Sequence, residues 1–128
     1  MNSRLSAVRR SRDRGWLSLE FVGMSFLLFL VLMLVVQVAA ATFTLAQANG
    51  AARSAAREAS LSRGAGGASA ARAAVSSSLR DGMVATGGST GDGQSWRVTL
   101  RVPKVLPRMP DWTITRSAAM PSTEPWGG

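Results

Sequence analysis

The sequence contains no cysteine and no histidine. Their absence excludes disulfide bonds, thiol redox chemistry, metal sites built from these two ligands and catalytic triads with a histidine base. Four acidic residues are scattered among predicted loops, without the spacing of a paired general acid and base: Asp81, Asp92, Asp111 and Glu124. The sequence therefore predicts no enzyme activity, no metal site and no cofactor.

Large apolar residues are scarce outside one segment. Once that segment is set aside, roughly 80 residues remain, and many of them are alanine, glycine or serine. A chain of this size and composition buries little apolar surface. One small domain is the most that the sequence predicts, without the core that a deep pocket requires.

The apolar segment, residues 21–46, lacks charge altogether and carries only four clearly polar residues: Ser25, Gln37, Thr42 and Thr44. About 20 apolar residues suffice for a helix to cross the hydrocarbon core of a bilayer. A small soluble protein has no means of covering a helix that is apolar on every side. We predict a transmembrane helix over residues 16–46.

The basic residues are distributed unevenly about this helix. Residues 1–15 carry five arginines and one aspartate, whereas the first basic residue on the other side is Arg53. The positive-inside rule then predicts a cytoplasmic leader over residues 1–15 and an extracytoplasmic C-terminus in a single-pass protein of the cell membrane. The residues assigned to this topology signal are Arg9, Arg10, Arg12 and Arg14, and Arg4 is the fifth arginine of the leader. Membrane lipid, and not nucleic acid, is the expected partner of the excess positive charge.

A cleaved secretory signal is the alternative interpretation of the N-terminus. Val38-Ala39-Ala40 resembles a small-residue cleavage site, and Arg9-Arg10 is compatible with a twin-arginine signal. However, the apolar core of a signal peptide usually has only about 7–15 residues. The longer run favours a retained anchor.

Residues 47–81 are predicted to form an extracytoplasmic, alanine-rich helical region. Small residues recur at spacings of three and four: Ala48, Ala51, Ala52, Ala55, Ala56 and Ala59. This stripe fits the close approach of another helix, or merely reflects the high helix propensity of alanine. Gly64, Gly66 and Gly67 are expected to end the helix, and a short second helix is predicted from about Ala68 to Arg80.

Residues 82–95 are rich in glycine, serine and threonine and are predicted to be a flexible linker. The remaining residues, 96–128, are predicted to form a small β region and an irregular tail. In the first strand Trp96, Val98, Leu100 and Val102 alternate with polar residues, and a second strand begins at Trp112 and ends near Ala118. A hairpin, with a possible third strand, would pack its apolar face and both tryptophans on the alanine-rich helix. The fold class is therefore α+β.

Glu20 directly precedes the apolar segment, five residues after Gly15. Either it occupies the headgroup zone near the positive end of the helix dipole, or it has a partner at membrane depth. The basic leader, Gly15 and Glu20 together resemble a type IV prepilin signal. The resemblance implies that a prepilin peptidase cleaves between Gly15 and Trp16, and that Glu20 pairs with the new α-amino group of a neighbouring subunit during assembly. Trp16 is bulkier than the residue usually found after the cleavage site.

The chain as a whole resembles the TadE-like proteins, minor pseudopilins of tight-adherence (Flp-type) pilus systems. The similarity includes Arg14-Gly15-x4-Glu20, the continuation Ala51-Ala52-Arg53-x3-Arg57-Glu58-Ala59 and the ending Met120-Pro121-x2-Glu124-Pro125. It implies a structural role in pilus assembly or a related secretion system, without catalysis. The implied partners are other pilin-like subunits, the Tad assembly machinery and a prepilin peptidase. TadF-like and TadG-like chains share the N-terminal features.

A second hypothesis is a bitopic interaction or signalling protein whose extracytoplasmic hairpin binds a partner. This hypothesis predicts an uncleaved leader, tolerance of Glu20→Ala and loss of function when Trp96 or Trp112 is replaced. The pseudopilin hypothesis predicts the opposite behaviour for Gly15 and Glu20.

Overall fold

The computed structural model describes residues 2–121, and describes side chains for residues 15–121. The chain divides into two compact units with the boundary between Val36 and Gln37. The elements are α1 (Asn2–Leu61), α2 (Gly67–Ala73), α3 (Ser77–Arg80), β1 (Val84–Thr90), β2 (Gly93–Arg101) and β3 (Thr113–Pro121). This architecture confirms the predicted α+β class.

Helix α1 contributes to both units. In the part that contains residues 15–36, nearly all side chains are exposed. From Gln37 onward one face of the helix is buried, and the alanine stripe continues that face up to Ala59. Among the described residues, this is the one helix long and apolar enough to cross a membrane.

The three strands form an antiparallel sheet in the order β1-β2-β3. Along β2 the side chains alternate as predicted, with Val98 and Leu100 fully buried and Arg97 exposed. The inner face of the sheet belongs to the same buried cluster as the alanine stripe, together with Val75, Leu79 and Met83. The stripe is therefore covered by this chain's own sheet and short helices. That arrangement explains its small residues without a second long helix.

The predicted flexible linker at residues 82–95 is wrong. Seven of these residues form β1, which pairs with β2 along its whole length from Val84 to Thr90. Gly87, one of the glycines that suggested flexibility, is needed for packing. A Cβ at this position would lie 2.4 Å from the Cδ2 atom of Trp96 on the neighbouring strand. The sequence did not identify a segment for the third strand of the sheet, and the structure shows that this glycine-rich segment forms it.

The predicted second helix is two short helices. Val75 is buried between them, and the backbone of Ser76 is extended, with φ −60° and ψ 149°. The amide of Ser76 donates a hydrogen bond of 3.1 Å to the side-chain oxygen of Gln47 on α1. This long-range bond and the burial of Val75 interrupt the helix where sequence propensity alone would continue it.

The second strand starts one residue later than predicted and continues to Pro121, where the described residues end. Trp112 lies outside it and is 49% exposed, whereas Trp96 is 7% exposed. The expected burial of both tryptophans is therefore correct for Trp96 and wrong for Trp112. The irregular tail and the Glu124-Pro125 part of the predicted ending lie outside the described residues.

Candidate functional site

The predicted cleavage and assembly residues all lie on one segment of α1. Gly15 has open space around its Cα, and the Trp16 side chain is 73% exposed. Trp16 and Glu20 are four residues apart and therefore share one face of the helix. The backbone of Arg9, Arg10, Arg12 and Arg14 is helical, and their side chains lie outside the described part of the chain.

The Glu20 carboxylate is exposed and makes no ion pair with any of the side chains at residues 15–121. Its neighbours one turn away are Trp16, Leu17, Gly23 and Met24, none of which carries a cation. A carboxylate at the edge of an apolar helix normally has a partner or a task. The geometry leaves Glu20 open to a cation from another molecule.

Around Glu20 the helix exposes apolar side chains in all directions. Soluble proteins rarely expose contiguous apolar patches larger than a few hundred Å². Such a surface requires lipid or other helices around it. The exposed large apolar residues between positions 15 and 37 are Trp16, Leu17, Leu19, Phe21, Val22, Met24, Phe26, Leu27, Leu28, Phe29, Leu30, Val31, Leu32, Leu34, Val35 and Val36.

Gln37 marks the point where this exposure ends on one face. The side chain is 4% exposed and holds the loop that follows β2. Its amide nitrogen donates to the carbonyl of Pro103 at 3.2 Å, and its oxygen accepts from the amide of Val105 at 2.9 Å. In the sequence Gln37 was identified only as one of four polar residues in the apolar segment, and its contact with the loop was not predicted. A lone amide among aliphatic residues is the signal that was available, because a buried amide needs hydrogen-bond partners.

Replacing Gln37 by leucine is expected to destabilise the folded protein by about 1–3 kcal/mol, because two part-buried hydrogen bonds to the loop are lost, each of which contributes about 0.5–1.5 kcal/mol. Thermal unfolding in detergent micelles, followed by circular dichroism, measures the change. Thr42→Ala is the matched control on the same helix, since Thr42 is exposed and its hydroxyl only donates to the Val38 carbonyl one turn back. Equal melting temperatures for the Gln37 variant and the wild type would contradict the assigned role.

An open groove of about 440 Å³ borders the same loop. It brings Asp81 and Asp111 to one place with Arg101 and Lys104, a grouping that the sequence did not suggest. The Asp111 carboxylate lies 2.8 Å from the Lys104 ammonium group. This hydrogen bond and the charge of Lys104 lower the pKa of Asp111, with a smaller contribution from Arg101. A lowered pKa keeps Asp111 ionised and unsuited to donate a proton near neutral pH.

The Asp111–Lys104 pair predicts a small pH dependence of stability. Because the pKa of Asp111 is lowered in the folded state, the contribution is present above the unfolded pKa of about 3.9 and disappears as the pH falls through the folded value. We expect the melting temperatures of the wild type and Asp111→Asn to converge as the pH is lowered from about 6 to about 3. Both partners are exposed to solvent, so the difference at neutral pH is small and decreases with added salt. A difference between the two proteins that stays constant over this range would contradict the assignment.

Within the described residues no group of three or more acidic side chains is arranged to hold a metal ion. No protein-family model, no curated protein and no solved structure matches this chain significantly.

Proposed function

We propose that this chain is a TadE-like minor pseudopilin, a membrane-anchored structural component in the assembly of a tight-adherence pilus or a related secretion system. The observation that carries the proposal is the exposed apolar helix between Trp16 and Val36, with a carboxylate near its start, that of Glu20, which pairs with none of the described side chains. A chain with this helix associates laterally through its anchor. It performs no catalysis.

The second half of α1 supports this assignment by contrast. From Ala48 to Ala59 the inner face of the helix is fully covered by the chain's own sheet and short helices. The extracytoplasmic part therefore completes its core by itself. The helix surface that still requires partners is the segment that begins at the proposed cleavage site.

Cleavage after Gly15 supplies the cation that Glu20 lacks. The peptidase removes the basic leader on the cytoplasmic side and leaves a free α-amino group on Trp16. That group lies four residues from its own Glu20, and the corresponding group of a neighbouring subunit is the proposed partner. In a low-dielectric setting such a pair fixes the axial stagger of packed helices, as buried polar pairs do elsewhere.

The proposed topology places the leader in the cytoplasm and residues 47–128 outside. The leader's net charge of +4 favours this orientation under the positive-inside rule. The proposed partners are other pilin-like subunits, the Tad assembly machinery and the prepilin peptidase.

Mass spectrometry of the membrane-extracted protein tests the processing step. We expect a mature chain that begins at Trp16 in cells with an active prepilin peptidase, and an intact chain when the peptidase gene is absent. Gly15→Val should block cleavage, because the leader of the prepilin signal that this segment resembles ends in glycine. Gly23→Ala is the control, since a Cβ at this position also meets open space. An intact N-terminus in the presence of active peptidase would overturn the proposal.

One observation favours the bitopic interaction protein as a second candidate. Trp112 is half exposed at the end of the loop between β2 and β3 and is available to a partner. Trp96 is not, so its replacement reports on folding and does not test this candidate. Loss of function in Trp112→Ala together with full function in Glu20→Ala would favour the second candidate.

A further inference from the structure

We propose that the loop between β2 and β3, residues 102–112, rests on the outer surface of the membrane with Arg108 against lipid phosphate groups. The proposal depends on the single-pass insertion proposed above, but not on a role in pilus assembly. It also moves the outer end of the membrane span from residue 46 to residue 36.

The position of the membrane surface follows from Gln37. The backbone of the loop at Pro103 and Val105 is hydrogen-bonded to this side chain, so the loop lies at the level of Gln37 along the helix. Irregular backbone is not exposed to lipid within the hydrocarbon core, because its polar groups would lose their hydrogen bonds to water. The hydrocarbon therefore ends at or before Gln37.

The length of the remaining helix agrees with this limit. Residues 16–36 span about 31 Å at 1.5 Å per residue, and the hydrocarbon core of a bilayer is about 30 Å thick. A span that continued to residue 46 would place the loop some 14 Å below the membrane surface. Glu20 then lies about 6 Å inside the span from Trp16, which strengthens its need for a partner.

The loop lies at the end of the sheet that is nearest to Gln37. At the other end of β2, a Cβ at Gly64 would lie 3.8 Å from the side-chain amide of Gln94, just beyond the end of α1. Strand β2 therefore runs antiparallel to the second half of the helix, from Gln94 near Gly64 to Pro103 near Gln37. Its nine residues separate the β1–β2 turn from the loop by about 30 Å. The turn is therefore the end of the sheet farther from Gln37.

The chemistry of the loop fits a lipid surface. Lys104, Arg108 and Trp112 are exposed, and Leu106 and Met109 are half-buried. Tryptophan and basic side chains are typical of the membrane–water interface. Lys104 is paired with Asp111, whereas Arg108 makes no ion pair with any described side chain. Arg108 has a φ of 67°, in the left-handed region, and is the loop cation available to a lipid phosphate.

Single-cysteine variants of the full chain test the proposal, because the natural sequence has no cysteine. A fluorophore is attached at P107C in the loop, at S89C near the β1–β2 turn, or at L28C in the helix. All three positions are exposed. The proteins are reconstituted in vesicles of phosphatidylcholine and phosphatidylglycerol in equal amounts. Quenching is measured with nitroxides attached either to the lipid headgroup or to the middle of the acyl chain.

We expect headgroup nitroxides to quench the label at 107 strongly and the label at 89 only at background level, while acyl-chain nitroxides quench the label at 28. Equal headgroup quenching at 107 and 89, with label 28 in the acyl chains, would overturn the loop proposal while leaving the pilus proposal intact. A label at 28 that is accessible to water would overturn the insertion, and the loop proposal with it. If a second copy of the chain covers label 107 and protects it from the lipid nitroxides, the lipid assignment is also overturned.

Arg108→Gln tests the phosphate contact in the labelled P107C background. The ratio of quenching by nitroxide-labelled phosphatidylglycerol to that by nitroxide-labelled phosphatidylcholine is expected to fall by up to about fivefold, the factor for one basic residue at an anionic surface. Arg97→Gln, in the middle of β2, is the matched control and should leave the ratio unchanged. An unchanged ratio in the Arg108 variant would remove Arg108 from the proposed contact.

Discussion

Replacing Glu20 by glutamine is expected to prevent the processed protein from co-purifying with other pilin-like subunits, while membrane insertion and cleavage at Gly15 continue. Glutamine keeps the size and the hydrogen-bonding capacity of the side chain but removes the charge. Loss of one partner from a buried ion pair costs about 3–5 kcal/mol, which corresponds to at least a hundredfold weaker association. The effect is large because the α-amino group of Trp16 is then left in the membrane without a counter-charge.

Quantitative pull-down of the processed protein from detergent extracts measures this effect. Glu20→Asp retains the charge on a shorter side chain and should recover part of the association. Ser18→Ala changes another exposed polar residue on the same segment and should behave like the wild type. Wild-type recovery of subunits with Glu20→Gln would rule out the pairing and favour the bitopic interaction protein.

Substitution of Gly87 by alanine is expected to destabilise the compact unit that begins at Gln37 by about 1–3 kcal/mol, the usual cost of overpacking a filled site. The added Cβ would lie 2.4 Å from the Trp96 ring and 2.5 Å from the Ser95 carbonyl oxygen. The Trp96 ring also lies close to α2, since a Cβ at Gly67 would be only 2.3 Å from it, and this contact limits how far the ring can shift. The strand and the ring therefore have to separate.

Gly88→Ala provides the matched control at the adjacent position of β1. A Cβ there meets no atom within 4 Å, and alanine restricts the unfolded chain, so we expect a change between zero and a gain of up to about 1 kcal/mol. Chemical denaturation of both variants in detergent, followed by tryptophan fluorescence, compares them directly. Equal stability of the two variants would show that the ring does not pack on Gly87.

The glycine-rich strand shows where sequence patterns failed. Composition favoured a flexible linker over residues 82–95, because glycine, serine and threonine predominate in linkers. The distinguishing information is the register that places Gly87 opposite Trp96. A glycine opposite a large ring on the neighbouring strand makes room for that ring. The sequence of one strand does not show which residue of the neighbouring strand lies opposite the glycine.

The two tryptophans show the same limit for single side chains. Alternation with polar residues predicted that Trp96 faces the core, and its burial agrees. Trp112 also alternates with polar residues, yet it precedes β3 and its backbone carbonyl accepts a hydrogen bond from Val102 at the start of the loop. The end of a strand depends on which partner residues continue the ladder, and the local sequence does not specify them.

The sequence by itself determined the long apolar helix, its continuation through the alanine stripe and the inward face of β2. These features follow from local hydrophobicity and from periods of 3.6 and 2 residues, which neighbouring residues fix without distant contacts. Only the tertiary structure decided that β1 exists, that the chain's own sheet covers the alanine stripe and that Gln37 holds a loop 66 and 68 residues away. Those contacts form between segments far apart in the chain, so their energies depend on the whole fold and not on any one segment.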